Sequence, residues 1–530
     1  MYTQRKELHQ GRLISCYARR PAHVNATLAG VVTDRPNHLA LVDGGRRITY
    51  LEMERAVAAL AAGLSAAGVR RGDRVAVMLA NQWEAVLSVL AITRLGAVLV
   101  PLGTRLKRPE ISHIFSDAQP VAVIHGSDFA AEMPEHGPAQ ALRFVCGAAA
   151  WQRLLATQGT PQPVDLDEHD AFGILYTSGT TGKPKGAVLT HLNVVHSCMH
   201  WADAHQLTHS ERTLLCVPWS HVAGLCGVVM PFLALGATLV LMADFKRRNF
   251  LQLAQRERIT HALMVPAMYG LCLLEPDLET FDLRDWRIGA YGSAPMPEPT
   301  IARFAKAFPQ LQMCNCYGAT ETTSPATMMP RGDGVVHADS IGKTVPCGDI
   351  RVMDEQGREL PPGEFGELWI AGPMVVPGYW RNEEANAVAF AAGYWKSGDI
   401  GAIDAEGYVR IADRKKDMIN RGGFKVYPAE VESVLTGIDG VVEAAVVGHA
   451  DEMLGESVIA FLSVTSAEVD AATVREYCAL RMADYKVPGR VVVDSQPLPR
   501  NANGKIQKAD LRARAAALPP LATSAQRSSR

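Results

Sequence analysis

From Tyr176 to Gly186 the chain reads Tyr-Thr-Ser-Gly-Thr-Thr-Gly-Lys-Pro-Lys-Gly, immediately after the apolar, strand-like run Ala171-Phe-Gly-Ile-Leu. Glycines let backbone N–H groups close on an anion. The hydroxyls of Thr177, Ser178, Thr180 and Thr181 add donors, and Lys183 or Lys185 offsets negative charge. With Gly179 and Gly182, these residues read as a phosphate-holding loop. It is not the P-loop pattern, because no glycine stands five residues before Gly182-Lys183 and Pro184 takes the Ser/Thr position. A flexible glycine-serine turn would explain the glycines but not two lysines and four hydroxyls together.

A second concentration is Asn315-Cys-Tyr-Gly-Ala-Thr-Glu321. Tyr317 offers a face for adenine and Asn315 can pair with the amino edge of a base, while Thr320 and Glu321 suit a phosphate and Mg2+ respectively. A tyrosine taken alone is by default a core residue. The neighbouring Thr-Glu is what weighs against that reading.

The elements that must hold these loops alternate. Ala85 to Leu95 reads as a helix, Gly96 stops it, and Ala97-Val-Leu-Val-Pro resumes as a strand. Further apolar strands are expected at Val75-Ala-Val-Met-Leu, Val121-Ala-Val-Ile and Thr213-Leu-Leu-Cys-Val-Pro, separated by helical stretches, which favours parallel sheets covered by helices. The fold class is therefore α/β. Turn clusters at Asp354-Glu-Gln-Gly-Arg and Asp404-Ala-Glu-Gly-Tyr, between short strands such as Gly366-Glu-Leu-Trp-Ile-Ala, predict an antiparallel part near residues 345–412. A charged run, Asp413-Arg-Lys-Lys-Asp, separates it from a smaller α+β pattern with strands at Val441 to Val447 and Ile459 to Val464. The expected division is a domain over 1–413, a hinge at 414–416, a domain over 417–518 and a disordered tail over 519–530.

Composition narrows the partners. Of 530 residues 48% are hydrophobic, and 53 Lys+Arg face 55 Asp+Glu, so no basic surplus exists to neutralise a nucleic-acid backbone. The ten scattered cysteines form no C-x-x-C pair, and the N-terminus lacks the apolar run of a secretory signal; both favour a reduced, cytoplasmic setting. Val222 to Ala243 is uncharged and about long enough to cross a bilayer. Gly224, Gly227, Pro231 and Gly236 break it, so it reads as a buried helix followed by a strand, not a transmembrane segment. Six histidines fall between His191 and His221, with His196/His200 and His205/His209 at helical spacing. No carboxylate or cysteine completes a ligand set among them, so a histidine-rich helix flank is expected rather than a metal site.

The loop and the Asn315–Glu321 segment resemble signatures of the adenylate-forming superfamily, which contains acyl-CoA synthetases, peptide-synthetase adenylation domains and beetle luciferases. Tyr291-Gly-Ser-Ala-Pro-Met-Pro, Lys396-Ser-Gly-Asp-Ile400, Asp413-Arg-Lys-Lys-Asp-Met-Ile and Pro499-Arg-Asn-Ala-Asn-Gly-Lys505 complete six motifs in the family's order, spanning residues 30–510. The resemblance implies a large N-terminal domain of helix-covered sheets with a small antiparallel barrel-like part, and a small mobile C-terminal domain. It also implies ATP, Mg2+ and coenzyme A as partners of the reaction. By the same resemblance, Gly292, Ser293, Ala294, Pro295, Asn315, Tyr317, Gly318 and Thr320 line the nucleotide, Glu321 holds Mg2+, and Asp399 with Arg414 holds the ribose. Lys505 reaches the substrate carboxylate and α-phosphate, Lys416 is the hinge, and Gly422 and Gly423 face the thiol's pantetheine arm.

Pro218-Trp-Ser-His-Val-Ala-Gly224 resembles the segment where related enzymes place the acid. Amino-acid-activating members put an aspartate there for the substrate ammonium, which would be costly to bury alone. Trp219, Ser220 and His221 stand here instead, favouring a non-amino acid with His221 beside its carboxylate or the thiol tunnel. Trp219, Met264, Met268 and Tyr291 are expected pocket walls that suit fatty or aromatic acids. The expected activity is a carboxylic acid–CoA ligase; the alternatives are a stand-alone enzyme loading a carrier protein, an inactive nucleotide-binding regulator and a luciferase-like oxidase. A homodimer is compatible with this reading.

Overall fold

The computed structural model describes residues 3–134, 141–159, 161, 164–177, 184–422, 424–451, 454–466, 468–500 and 506–518. Ser178, Gly179, Thr180, Thr181, Gly182, Lys183, Gly423, Lys505 and the expected tail 519–530 lie outside the described residues.

Two sheets make the large N-terminal part. In the six-stranded sheet, Ala171–Thr177, Val98–Pro101, Arg74–Met78, Ala122–His125 and Leu142–Val145 lie side by side in that order and run parallel, and Lys185–Thr190 pairs antiparallel with Ala171–Thr177. The nine-stranded sheet is parallel through Gln312–Tyr317, Ile288–Tyr291, His261–Met264, Arg212–Leu215, Thr238–Leu241 and Leu39–Asp43. Val98–Pro101, Ala122–His125, Thr238–Leu241, His261–Met264 and Ile288–Tyr291 are buried at every position. Strands covered on both faces are apolar on both, which is why these runs do not alternate and carry polar residues, His125, Thr238 and His261, at their ends alone.

Local signals set the element ends. Thr49 and Thr190 cap the helices Tyr50–Ala66 and His191–Ala204 through reciprocal bonds with Glu52 and Asn193. Gly96 and Gly236, at φ +62° and +75°, end the preceding helices in the left-handed region before their strands begin. The membrane-length run resolves into a helix at Val222–Gly224, a π-helical turn at Leu225–Val229, a helix at Met230–Ala234 and the strand Thr238–Leu241. Pro231 has no N–H for an i−4 bond, and beside it Met230 N–H donates to Leu225 O, five residues back. Among the described residues no helix is long and apolar enough to cross a membrane.

Asp349–Met353, Gly366–Ala371, Tyr394–Ile403 and Val409–Arg414 form the antiparallel half-barrel expected near 345–412. A C-terminal α+β part follows, with Phe424–Val426, Ile419–Arg421, Gly455–Val464 and Val441–Asp451 in antiparallel order and Arg490–Asp494 parallel to Gly455–Val464. At the N-terminus, Gln4–His9 and Arg12–Tyr17 make a hairpin with no counterpart in the sequence reading. Arg20 pins it, pairing with Glu7 at 2.8 Å and with Glu168 at 2.9 Å.

Much of the histidine run lies on or next to the helix His191–Ala204. His191, His196, His200 and His205 are buried. His196 donates from Nδ1 to Leu192 O at 2.9 Å and accepts from Tyr17 N–H at Nε2, so it is held neutral. Burial lowers His191 to about 4 and His196 and His205 to about 3 from an ordinary 6.5. Below pH 6.5 the unfolded chain therefore binds protons that the folded chain refuses, and stability falls as pH falls. Each such group steepens the loss by up to about 1.4 kcal/mol per pH unit until its own folded pKa is reached. The apparent melting temperature should be level near pH 7 to 8 and drop progressively between pH 6.5 and 4; a flat profile in thermal unfolding would contradict neutral burial.

Candidate active site

Ile288–Tyr291 and Gln312–Tyr317 run parallel, with Tyr291 opposite Asn315, and both empty into loops at their C-terminal ends, where open parallel sheets place ligands. The first loop holds Gly292 to Pro295. A Cβ on Gly292 would sit 2.3 Å from Cys316 O, so only glycine lets these strand ends approach so closely. Gly292 is buried while Ser293, Ala294 and Pro295 are exposed, and Ser293 is left-handed at φ +68°. In the second loop, Asn315 donates to Ser340 O, Gly318 leaves room beside Thr322, and Thr320–Thr322 forms a 3-10 turn.

The half-barrel enters here. Asp399 and Arg414 face each other in the register of Tyr394–Ile403 and Val409–Arg414. Arg414 Nε meets Asp399 Oδ1 at 2.7 Å, and the Tyr317 hydroxyl donates to Oδ2 at 2.6 Å. These are short, charge-assisted contacts. Burial, and then the Asp399 carboxylate, push the Tyr317 hydroxyl far above its ordinary pKa. Burial works against the Arg414 charge, but Asp399, Tyr317 and Glu321 outweigh it and raise its pKa.

Lys185 and Glu321 meet on one ring. Thr177 and Lys185 are a register pair of the strands flanking the phosphate-loop motif. Tyr379 forms an antiparallel bridge with Ala187, and Trp380 N–H donates to Gly186 O at 2.7 Å. Lys185 Nζ lies 5.3 Å from the centre of the Tyr379 ring, whose hydroxyl donates to Glu321 Oε1 at 2.7 Å. That bond orients a buried carboxylate of the hard-oxygen type that suits Mg2+. Tyr379 was not among the sequence candidates; its one local signal is the Gly378-Tyr-Trp step after the apolar Met374-Val-Val.

Of the expected acyl-pocket walls, Met264 lines a cavity that also touches Trp201, Val217, Ala223, Ser293 and Gly318. Trp219 does not line it: its indole donates to Leu79 O at 2.7 Å and its backbone N–H to Asn81 Oδ1, locking it into the main core. Tyr291 is fully buried, edge-on to Tyr269 in the second core, and Met268 packs between the two cores. The reason is strand geometry, since Tyr291 ends a strand buried at every position. His221 is half-buried and precedes the helix Val222–Gly224. Gly224 is required beside it, because a Cβ there would lie 2.2 Å from Pro218 O.

Lys416 is exposed in the turn between Val409–Arg414 and Ile419–Arg421. Its neighbours are tied down: Asp413 accepts from Ala429 N–H at 2.7 Å, and Asp417 pairs with Arg512. Gly422 is left-handed at φ +61° and donates to Leu454 O. Arg500 and Ile506 pair as an antiparallel bridge on either side of the segment containing Lys505. The described groups thus gather a tyrosine ring, a carboxylate paired with a guanidinium, a second buried carboxylate and a cavity near one pair of strand ends.

The family model described as AMP-binding enzyme matches residues 28–380, and that of the AMP-binding enzyme C-terminal domain matches 430–505. Long-chain-fatty-acid–CoA ligase FadD13 of Mycobacterium tuberculosis is 36% identical over 479 residues, covering 89% of this chain and 94% of that protein. Feruloyl-CoA synthase of Amycolatopsis sp is 35% identical, covering 90% of this chain and 96% of its own. The solved structure of o-succinylbenzoate coenzyme A synthetase MenE from Bacillus subtilis, in complex with ATP and magnesium ion, matches with a TM-score of 0.80 at 30% identity, covering 92% and 98% of the two chains.

Gly292→Ala tests the strand-end geometry. Its methyl must displace the Cys316 carbonyl, and overpacking of this kind costs roughly 1–3 kcal/mol. Thermal unfolding should show a lower apparent melting temperature than the parent chain, and an unchanged value would show that the two loops are not so tightly apposed.

Proposed function

The chain belongs to the adenylate-forming AMP-binding enzyme family as an AMP-forming acid–CoA ligase family enzyme, and from that premise we propose how its residues act and which acids it takes. The observation that supports the reading best is the joining of Tyr317, Asp399 and Arg414 beside the Lys185–Tyr379–Glu321 group. In this reading Tyr317 lies against adenine, Asn315 meets its amino edge, Gly292 to Pro295 supply backbone, and Asp399 accepts from the ribose hydroxyls with Arg414 beside it. Thr177 to Gly182, Lys185 and Thr320 hold the phosphates. Glu321, oriented by Tyr379, would hold Mg2+, which when bound adds positive charge at the phosphate oxygens.

In the first half-reaction a carboxylate oxygen attacks the α-phosphorus, the bond to the bridging α–β oxygen breaks, and pyrophosphate leaves. Both reactants are anions, so the step needs a cation where charge accumulates; Lys505 supplies it. In the second, the coenzyme A thiol gives its proton to solvent, its sulfur attacks the acyl carbonyl carbon, the bond from that carbon to the phosphate oxygen breaks, and AMP leaves with the bonding electrons. Lys416 is the hinge between domains at 1–413 and 417–518, and Gly422 with Gly423 lets the pantetheine arm pass close to backbone. His221 borders the acid's carboxylate. With Trp219, Ser220 and His221 where amino-acid-activating relatives would need an aspartate, the substrate is a fatty or aromatic non-amino acid.

Purified protein given Mg2+, ATP and coenzyme A should release AMP only when a suitable acid is added. A broad panel of fatty and aromatic acids without any acid-dependent AMP or pyrophosphate exchange would refute the reading. Lys505→Ala should slow pyrophosphate exchange by about 10²–10³-fold while leaving transfer from preformed acyl-adenylate within a fewfold of the parent; equal loss in both halves would contradict its assignment.

A further inference from the structure

The helix His191–Ala204 contributes Trp201 to the cavity wall, and buried polar groups around that residue have no hydrogen-bond partner among the described residues. Trp201 lines the cavity, and its indole N–H has no hydrogen-bond partner among the described residues. Against it lie His205, which caps the same helix, at 5.5 Å between ring centres, and His261, the first residue of the strand His261–Met264, at 6.2 Å. Both ring nitrogens of His205 and Nε2 of His261 also lack partners among the described residues. Trp201, His205 and His261 are all fully buried; of the three Trp201 lines the cavity, and the two histidines lie against its ring. Leaving one buried donor unsatisfied costs roughly 1–3 kcal/mol, so three such side chains in one place call for a ligand or water.

The chemistry of the set restricts that ligand. Thr213 Oγ1 and His261 Nδ1 are bonded at 2.9 Å, which ties down one face of that imidazole and leaves Nε2 directed elsewhere. Burial, first of all, lowers the pKa of both histidines, so the cluster offers neutral N–H donors and nitrogen acceptors. The cations nearest in effect are Arg331 for His205 and Arg287 for His261, and they are engaged with Gln312 and Glu211. A buried carboxylate would therefore meet no unengaged counter-ion among these described cations and would be costly. A neutral oxygen, which both donates and accepts or only accepts, is the group that these nitrogens can satisfy.

We infer that Trp201, backed by His205 and His261, forms a polar end to the acyl pocket, selecting carboxylic acids that carry an uncharged keto or hydroxyl oxygen distant from the carboxylate being activated. This rests on the ligase reading above and narrows its substrate class. An ordered water satisfying the same nitrogens is the competing occupant, and it would give no preference between acids differing only in that oxygen.

The test is a set of matched acids of equal length and shape: unsubstituted, with a distal keto or hydroxyl group, and with a distal carboxylate. AMP release is measured with each in the presence of ATP, Mg2+ and coenzyme A. The oxygenated member should exceed the unsubstituted one in kcat/KM by about tenfold or more, because a site built to bond an oxygen rejects its absence. Trp201→Phe and, separately, His205→Leu should bring that ratio to within about twofold, whereas a simple folding defect would lower both acids together and leave it unchanged. Equal or better use of the unsubstituted acids, preference for the dicarboxylates, or an unchanged ratio in both variants would overturn the inference while leaving the ligase reading intact. AMP release with none of the acids, including the broad panel, would overturn the ligase reading and this inference with it.

Discussion

The buried carboxylate of Asp399 is the contact on which the arrangement turns. It sits in the half-barrel yet is joined on one oxygen to Arg414 and on the other to Tyr317 at the end of the nine-stranded sheet. An isolated carboxylate could not be held there, since removing it from water without partners is too costly. The pairing therefore joins two distinct sheets at one point, with Arg414 at the end of the strand that leads toward Lys416. Arg414 remains partly exposed, so the contact holds the half-barrel in place without being sealed off from a ligand.

Tyr379 performs a comparable joining with a neutral group. Its backbone is fixed on the strand that carries Lys185, its ring lies near the Lys185 ammonium, and its hydroxyl orients Glu321. Between them, Asp399 and Tyr379 bring residues from both large sheets and the half-barrel to the same strand ends. Gly292 matters for the complementary reason, as close approach of two backbones requires a side chain to be missing.

Polar groups also enter the core on the helix His191–Ala204. His196 is satisfied by Leu192 O and Tyr17 N–H, whereas the indole of Trp201 and the ring of His205 are not satisfied by the described residues. The contrast separates a histidine that serves packing of the N-terminal hairpin from groups left over beside a cavity. Burial keeps both kinds neutral, which makes the same helix sensitive to acid and chemically suited to uncharged ligands.

By itself the amino-acid sequence determined the α/β class, the glycine-terminated helices before Val98–Pro101 and Thr238–Leu241, the antiparallel part and the family, because those depend on local periodicity, turn chemistry and contiguous motifs. It also placed Tyr317, Asp399 and Glu321 in motifs, without showing what each would touch. Only the tertiary structure brought Tyr317 to Asp399 across 82 positions and Tyr379 to Glu321 across 58. Only there did Trp219 and Tyr291 turn into core and Trp201 toward the cavity, since the direction of a large aromatic side chain is decided by the element it sits on, a turn, a strand end and a helix in these three, and by competing packing rather than by residue type. The histidine run was visible as a pattern, but whether its nitrogens would find partners depended on a strand starting at His261, far along the chain.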